Sequence, residues 1–146
     1  MGPISNLRIS IVDDDEAVRD SLTGLVESLG AKVRAYRSLA AFMAAPDHAG
    51  TDCLLLDCSP ANGAAHPLET LAARRLSVPV VAMVRDETSP TRAAALRAGA
   101  DAVLPRPFTD QALISAIQKA RQRHAAKRGE LGLPAPASAR AKPSPP

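Results

Sequence analysis

Apolar and polar positions change period repeatedly along this chain. Arg8-Ile9-Ser10-Ile11-Val12 is a short, mostly apolar run that ends abruptly in acid, which predicts a buried strand. From 17 to 29, Val18, Leu22, Leu25, Val26 and Leu29 recur at helical spacing on one face, and Gly30 supplies a C-terminal stop. Lys32 to Tyr36 predicts a second short strand. Ser38 can cap a short helix through Ala45, which Pro46 ends. Cys53-Leu54-Leu55-Leu56 shows no polar alternation, so it predicts a third strand buried on both faces, as in a parallel sheet. Asp57 follows it directly.

After a loop with Pro60, Asn62 and Gly63, a helix is predicted to run to about Arg75. Val78 to Val84 predicts a fourth strand. Ser89-Pro90 reads as a cap followed by proline at the first helical position, opening a helix that reaches Arg97 and stops at Gly99. Ala102 to Leu104 predicts a fifth strand. A last helix starts near Thr109 or Asp110, buries Leu113, Ile114 and Ile117, and runs to about Arg128. Five strands alternating with five helices predict an α/β fold, a doubly wound five-stranded parallel sheet with helices on both faces. Ligands in such sheets bind beyond the carboxyl ends of the strands, near the point where strand order reverses. Asp13 and Asp14 stand at the end of the first predicted strand and Asp57 at the end of the third.

Composition changes the picture mainly at the C-terminal end. The chain has 146 residues, 46% of them hydrophobic, which suits one domain. Tryptophan is absent, with one Tyr and two Phe, so the core must be aliphatic. From Gly129 the sequence turns rich in Pro and Ala, with nothing to offset ordering entropy. The expected division is therefore a folded domain over 1–128 and a disordered basic tail over 129–146. Residues 1–118 carry a net charge of −3, whereas 119–146 carry +6, led by Lys119, Arg121, Arg123, Lys127 and Arg128. A solvated helix end is the plain explanation, and binding of something anionic is the other.

Cys53 and Cys58 stand about 15 Å apart along a strand, which is too far for a disulfide, and their spacing is not a zinc pattern. No apolar run approaches the ~20 residues that span a membrane. A reduced, cytoplasmic protein is expected. His48, His66 and His124 read as scattered surface residues rather than as a metal site or a base.

Three carboxylates converging at one sheet edge repel each other unless a cation sits between them. A hard divalent cation such as Mg²⁺, which takes a few carboxylates plus waters and phosphate oxygens, resolves the conflict. Asp57 then has the character of a carboxylate nucleophile able to form an acyl phosphate. Asp13-Asp14-Asp15-Glu16 taken alone could equally be an acidic helix start favoured by the dipole. Asp57 after an all-apolar strand tips the balance, because a carboxylate there needs a reason.

Ile11-Val12-Asp13-Asp14-Asp15-Glu16-Ala17-Val18-Arg19-Asp20-Ser21-Leu22 resembles the opening of response regulator receiver domains, closest to those of regulators with a helix-turn-helix output. Leu54-Leu55-Leu56-Asp57, Val78-Pro79-Val80-Val81-Ala82-Met83, Ala98-Gly99-Ala100-Asp101-Ala102-Val103-Leu104 and Pro107-Phe108 continue the resemblance in register over about residues 6–123. It implies that Asp57 is the phosphoacceptor, that Asp13 and Asp14 are the metal-binding acidic pair, and that the backbone carbonyl of Ser59 completes the Mg²⁺ shell. It also implies a cis Arg106-Pro107 bond, which proline permits.

Several departures fall on functional positions. The Thr or Ser that the family places at the end of the fourth strand is Val84 here, which cannot donate to a phosphoryl oxygen. The following residue, usually small, is Arg85, which could pair with phosphate or block it. The aromatic switch position aligns with Val103, and the lysine before Pro-Phe is Arg106, a planar fork that could still contact phosphate. The loop after Asp57 is compressed to Cys58-Ser59-Pro60. Val84 and Val103 thus remove two contacts by which phosphate could bias a conformational equilibrium.

The resemblance implies a single-domain response regulator, not an enzyme, that takes phosphate from a sensor histidine kinase or a histidine phosphotransfer protein. It would signal by protein–protein contact, with a homodimer through residues 91–123 as one form. The first alternative is a phosphorylation-independent pseudo-receiver that acts as a binding module. The second is anionic nucleotide or nucleic-acid binding by the basic extension, where the absence of stacking aromatics argues against single-strand recognition. An aspartate-nucleophile phosphatase would use Asp13 and Asp15, but Ala17 replaces that class's usual Thr or Val and no cap domain fits the length.

Overall fold

The computed structural model describes residues 2–58, 77–85 and 89–130. Five strands form one parallel sheet: β1 (Arg8–Val12), β2 (Lys32–Tyr36), β3 (Cys53–Asp57), β4 (Val80–Val84) and β5 (Ala102–Pro105), in the order β2-β1-β3-β4-β5. The described helices are α1 (Glu16–Ser28), α2 (Leu39–Ala44), α3 (Ser89–Arg97) and α4 (Asp110–Glu130), with a short 3₁₀ turn at His48–Gly50. The helix predicted to end near Arg75 and the tail beyond Glu130 lie outside the described residues.

Strand alternation divides the core into two layers. Ile9, Ile11, Cys53, Leu55, Val81 and Met83 point to one face, where Leu22 and Val26 of α1 and Leu113, Ile117 and Ala120 of α4 cover them. Leu54, Leu56, Val80, Ala82 and Val84 point to the other face, against Phe42 of α2 and Ala95 of α3. Leu54, Leu55 and Leu56 are consecutive and all buried, so β3 serves both layers, as its unbroken apolar run requires.

Local sequence sets the element ends. The Ser38 hydroxyl accepts from the Ala41 amide at 3.1 Å and caps α2. Gly30 and Gly99 end α1 and α3 with φ of 94° and 110°, a region that residues with a side chain rarely enter. Thr109 Oγ1 accepts from the Ala112 amide and opens α4. Ser89 lies within α3 rather than ahead of it, and α4 continues past Arg128 through Gly129 to Glu130.

His124 corrects the sequence expectation that the histidines are surface groups. It is buried, with Nδ1 3.7 Å from Asp101 Oδ2. Lys127 Nζ lies 2.8 Å from Asp101 Oδ1, and Arg128 bonds the Ser77 hydroxyl, so two cations of the basic extension are turned back onto the domain. Asp101 also takes the Val80 amide on its carboxylate at 2.9 Å, while its own amide donates to the Val80 carbonyl. Burial alone would push the Asp101 carboxyl up. The nearby His124, with hydrogen bonds from Lys127 and the Val80 amide, outweighs that and holds it below the usual carboxylate range.

Candidate functional site

The register of β1 against β3 builds the site. Val12 pairs with Leu56, so Asp13 and Asp57 emerge side by side at the carboxyl edge. The chain runs from β1 out to β2 on one side, and β3 lies on the other, so this edge is where strand order reverses.

The four acids of the 13–16 run divide their roles. Asp13 is buried, and its Oδ1 accepts from the Asp15 amide at 2.9 Å. Asp14 is exposed. Asp15 accepts from the Val18 amide and caps α1, and Glu16 sits in the first turn, where the helix dipole favours it. Asp13, Asp14 and Asp57 each offer a carboxylate oxygen within 4.8 Å of the other two. The run is thus divided: Asp15 and Glu16 serve the helix start, while Asp13 and Asp14 are grouped with Asp57.

Arg106 is the cation that joins them. Its Nη2 lies 2.8 Å from Asp13 Oδ2 and 3.9 Å from Asp57 Oδ1, and its amide donates to the Val84 carbonyl. The Arg106-Pro107 bond is cis, as the resemblance implied. Sequence reasoning missed Arg19, whose Nη1 donates to the Asp13 carbonyl at 2.8 Å. The signal was available: Arg19 lies one turn into the helix that Asp15 caps, where a long side chain reaches back toward the acidic edge.

Val84 is buried and Val103 half-buried, and both pack in the apolar layer with Ala82 and Ala95. Arg85 is exposed and lines a groove of about 660 Å³ beside Arg106, with Val18, Leu22, Leu25 and Phe108 on its walls. Cys53 and Cys58 are both free and buried, as the spacing predicted. Burial, with the Asp57 charge second, pushes the Cys58 thiol up to about 12. Ser59 lies outside the described residues.

An acidic trio at the switch point of a parallel doubly wound sheet defines a class of phosphate- and cation-handling α/β domains. Comparison with known proteins narrows this. The response regulator receiver domain family matches residues 9–118, and the chain belongs to that family, the receiver domain of two-component signalling systems. It is 34% identical over 114 residues to the transcriptional regulatory protein FixJ of Azorhizobium caulinodans, covering 77% of this chain and 54% of that protein. It is 32% identical over 113 residues to the response regulator protein TmoT of Ectopseudomonas mendocina, covering 77% of this chain and 51% of that one. The chain thus spans about half the length of these curated relatives. The crystal structure of FixJ-N superposes with a TM-score of 0.70 at 29% identity, covering 81% of this chain and 95% of that one. Receiver domains bind Mg²⁺ at an acidic pocket, and the all-oxygen donor set of Asp13, Asp14 and Asp57 fits a hard divalent cation. Among the described residues, no helix is long and apolar enough to cross a membrane.

Proposed function

We propose that this receiver accepts a phosphoryl group on Asp57 from a sensor histidine kinase or a histidine phosphotransfer protein, and signals by protein–protein contact. The convergence of Asp13, Asp14 and Asp57, with Arg106 reaching toward both Asp13 and Asp57, carries the reading. In the transfer, an Asp57 carboxylate oxygen forms a bond to phosphorus as the P–N bond of a phosphohistidine breaks, and the imidazole leaves. Asp13, Asp14 and Asp57, with the Ser59 carbonyl, would hold Mg²⁺, which when bound neutralises charge on the phosphoryl oxygens. Arg106 adds a fixed cation on the same side. Arg85, on the groove wall beside it, is positioned to meet a phosphodonor. Leu96, exposed on α3, supports residues 91–123 as the face for a partner or a second copy.

A second reading, a phosphorylation-independent binding module, is favoured by one observation. Val84 and Val103 sit in a single apolar layer and themselves supply neither the hydroxyl nor the ring of the usual relay. Amide NMR of wild type and Asp57→Ala, with Mg²⁺ and beryllofluoride, separates the two. Shifts near 13–14, 57–58, 84–85 and 106 that vanish in the variant establish Asp57 as acceptor. Absence of any response overturns the proposal and leaves the binding module.

A further inference from the structure

A second, polar pocket of about 390 Å³ lies over β1 and β2, lined from Arg8 and Lys32 at their amino ends to Tyr36 at the carboxyl end of β2, and shares no lining residue with the acidic trio. In a doubly wound sheet, both faces are covered and inward positions are apolar. The face that carries Leu54, Leu56, Val80 and Ala82 obeys this rule over β3 and β4. Over β1 and β2 the same face is open to solvent and presents the exposed Arg8, Lys32 and Arg34 beside the buried Ser10, in the register Arg8↔Lys32 and Ser10↔Arg34. The six-residue α2 is too short to cover them, and Asp47, Gly50 and Thr51 around the following turn form the opposite wall. Ser10 Oγ and Thr51 Oγ1, both in buried residues, lie 2.9 Å apart.

Three cations line the pocket with one carboxylate, Asp47, and a second carboxylate, that of the buried Asp52, accepts the Arg8 amide at 2.8 Å. Asp47 engages Arg34 at 3.2 Å, and among the described residues neither Arg8 nor Lys32 has a carboxylate in ion-pair reach. Protection of a sheet edge accounts for charges on the edge strand β2. It does not account for Arg8 and Ser10, because β1 is paired on both sides. Gly50 lies against the same guanidinium: a Cβ there would come within 3.2 Å of Arg8 Nη1, the end of a flexible side chain.

We infer that this pocket is a second anion site, separate from the phosphoacceptor, which takes the phosphate groups of a small multiply charged phosphate compound. Arg8 and Arg34 offer forked donors suited to phosphate oxygens, Lys32 adds a point charge, and the hydroxyl pair supplies neutral donors. The volume falls in the range of small-ligand pockets, roughly 300–1,000 Å³. Tyr36, on the pocket wall, accepts the Asp13 amide on its carbonyl at 3.1 Å, so an occupied pocket contacts a residue bonded to the acidic edge.

Amide NMR titration of the full chain with pyrophosphate, and separately with ATP, at constant ionic strength tests this. The expected result is saturable shifts at residues 8–10, 32–36 and 47–51, unchanged in Asp57→Ala. Affinity should fall about tenfold in Arg8→Ala and in Lys32→Ala, as expected for loss of a charge-assisted contact. Lys32 is exposed, so its variant tests the site even if Arg8→Ala perturbs the fold. Equal affinity for both probes assigns recognition to the phosphates alone, and tighter ATP binding assigns part of it to an organic moiety. No saturable shifts in the pocket, or shifts confined to residues 119–128, overturn the inference.

Discussion

Arg106 Nη2 stands 2.8 Å from Asp13 Oδ2, so the cation at this position is spent largely on a buried carboxylate. A lysine ends in a point charge that can move between partners, whereas the arginine fork is held by its hydrogen bond and planar geometry. Arg106 and a bound divalent ion then compete for the same negative field. Arg106→Ala is expected to raise Mg²⁺ affinity about tenfold, equivalent to ~1.4 kcal/mol, while slowing acceptance of phosphate at Asp57. Calorimetric Mg²⁺ titration together with phosphorylation by a small-molecule phosphodonor checks both. Unchanged metal affinity would show that Arg106 does not share the field of the trio.

Val84 replaces a hydroxyl with a methyl group inside a packed apolar layer. The local cost of restoring the hydroxyl is modest, about 1–3 kcal/mol for a buried hydroxyl without a fixed partner. Val84→Thr is therefore expected to lower stability in urea denaturation. It should also extend the beryllofluoride-induced shifts from the site into residues 91–120, whereas wild-type shifts stay local. Extensive shifts in the wild type would mean that another route carries the signal and that a hydroxyl at position 84 is dispensable.

The sheet and its acidic edge were legible in the sequence because each rests on a local signal. The unbroken run 53–56, the helical spacing of Leu22 and Val26, and Gly30 and Gly99 all found their predicted places. Asp13 and Asp57 met because strands that end in acid at the carboxyl edge of a parallel sheet have few other options. His124, Arg19 and the β1–β2 pocket were not legible. His124 is buried by a partner 23 positions away, at Asp101. Arg19 acts on a backbone carbonyl, so only its place one turn into the helix that Asp15 caps hinted at it. The pocket depends on α2 being too short to cover β1 and β2, a fact of length and packing rather than of any motif.

Asp101 ties the start of β4 to the end of α4 through Val80, His124 and Lys127. Its carboxyl is held below the usual value in the folded chain. A depressed folded value means that the unfolded chain binds the proton more readily. The stabilisation is thus fully present above the unfolded carboxylate range, near pH 4, and is lost as pH falls through the lower folded value. Asp101→Ala is expected to cost on the order of 3 kcal/mol at neutral pH, because it leaves Lys127 and the Val80 amide without their acceptor. Urea denaturation should show the gap between wild type and variant narrowing below about pH 4. A gap that does not depend on pH would assign the loss to packing instead.

Cys58 follows the acceptor directly, yet its chemistry is closed off. The residue is buried, its amide donates to the Met83 carbonyl at 2.9 Å, and its thiol is pushed up to about 12 by burial and then by the Asp57 charge. Burial pushes the Cys53 thiol up as well. Little of the Cys58 thiol is then ionised at pH 8, and thiolate is the reacting form. Maleimide labelling of the native chain at pH 8 is expected to be slow at both cysteines and fast at both in urea, read by mass spectrometry over time. Phosphorylation or beryllofluoride binding adds negative charge beside Cys58, which disfavours the thiolate further, so labelling there should slow rather than quicken. Faster labelling of Cys58 in that state would mean that the loop after Asp57 opens on activation, which places movement at the acceptor itself rather than along β4 and β5.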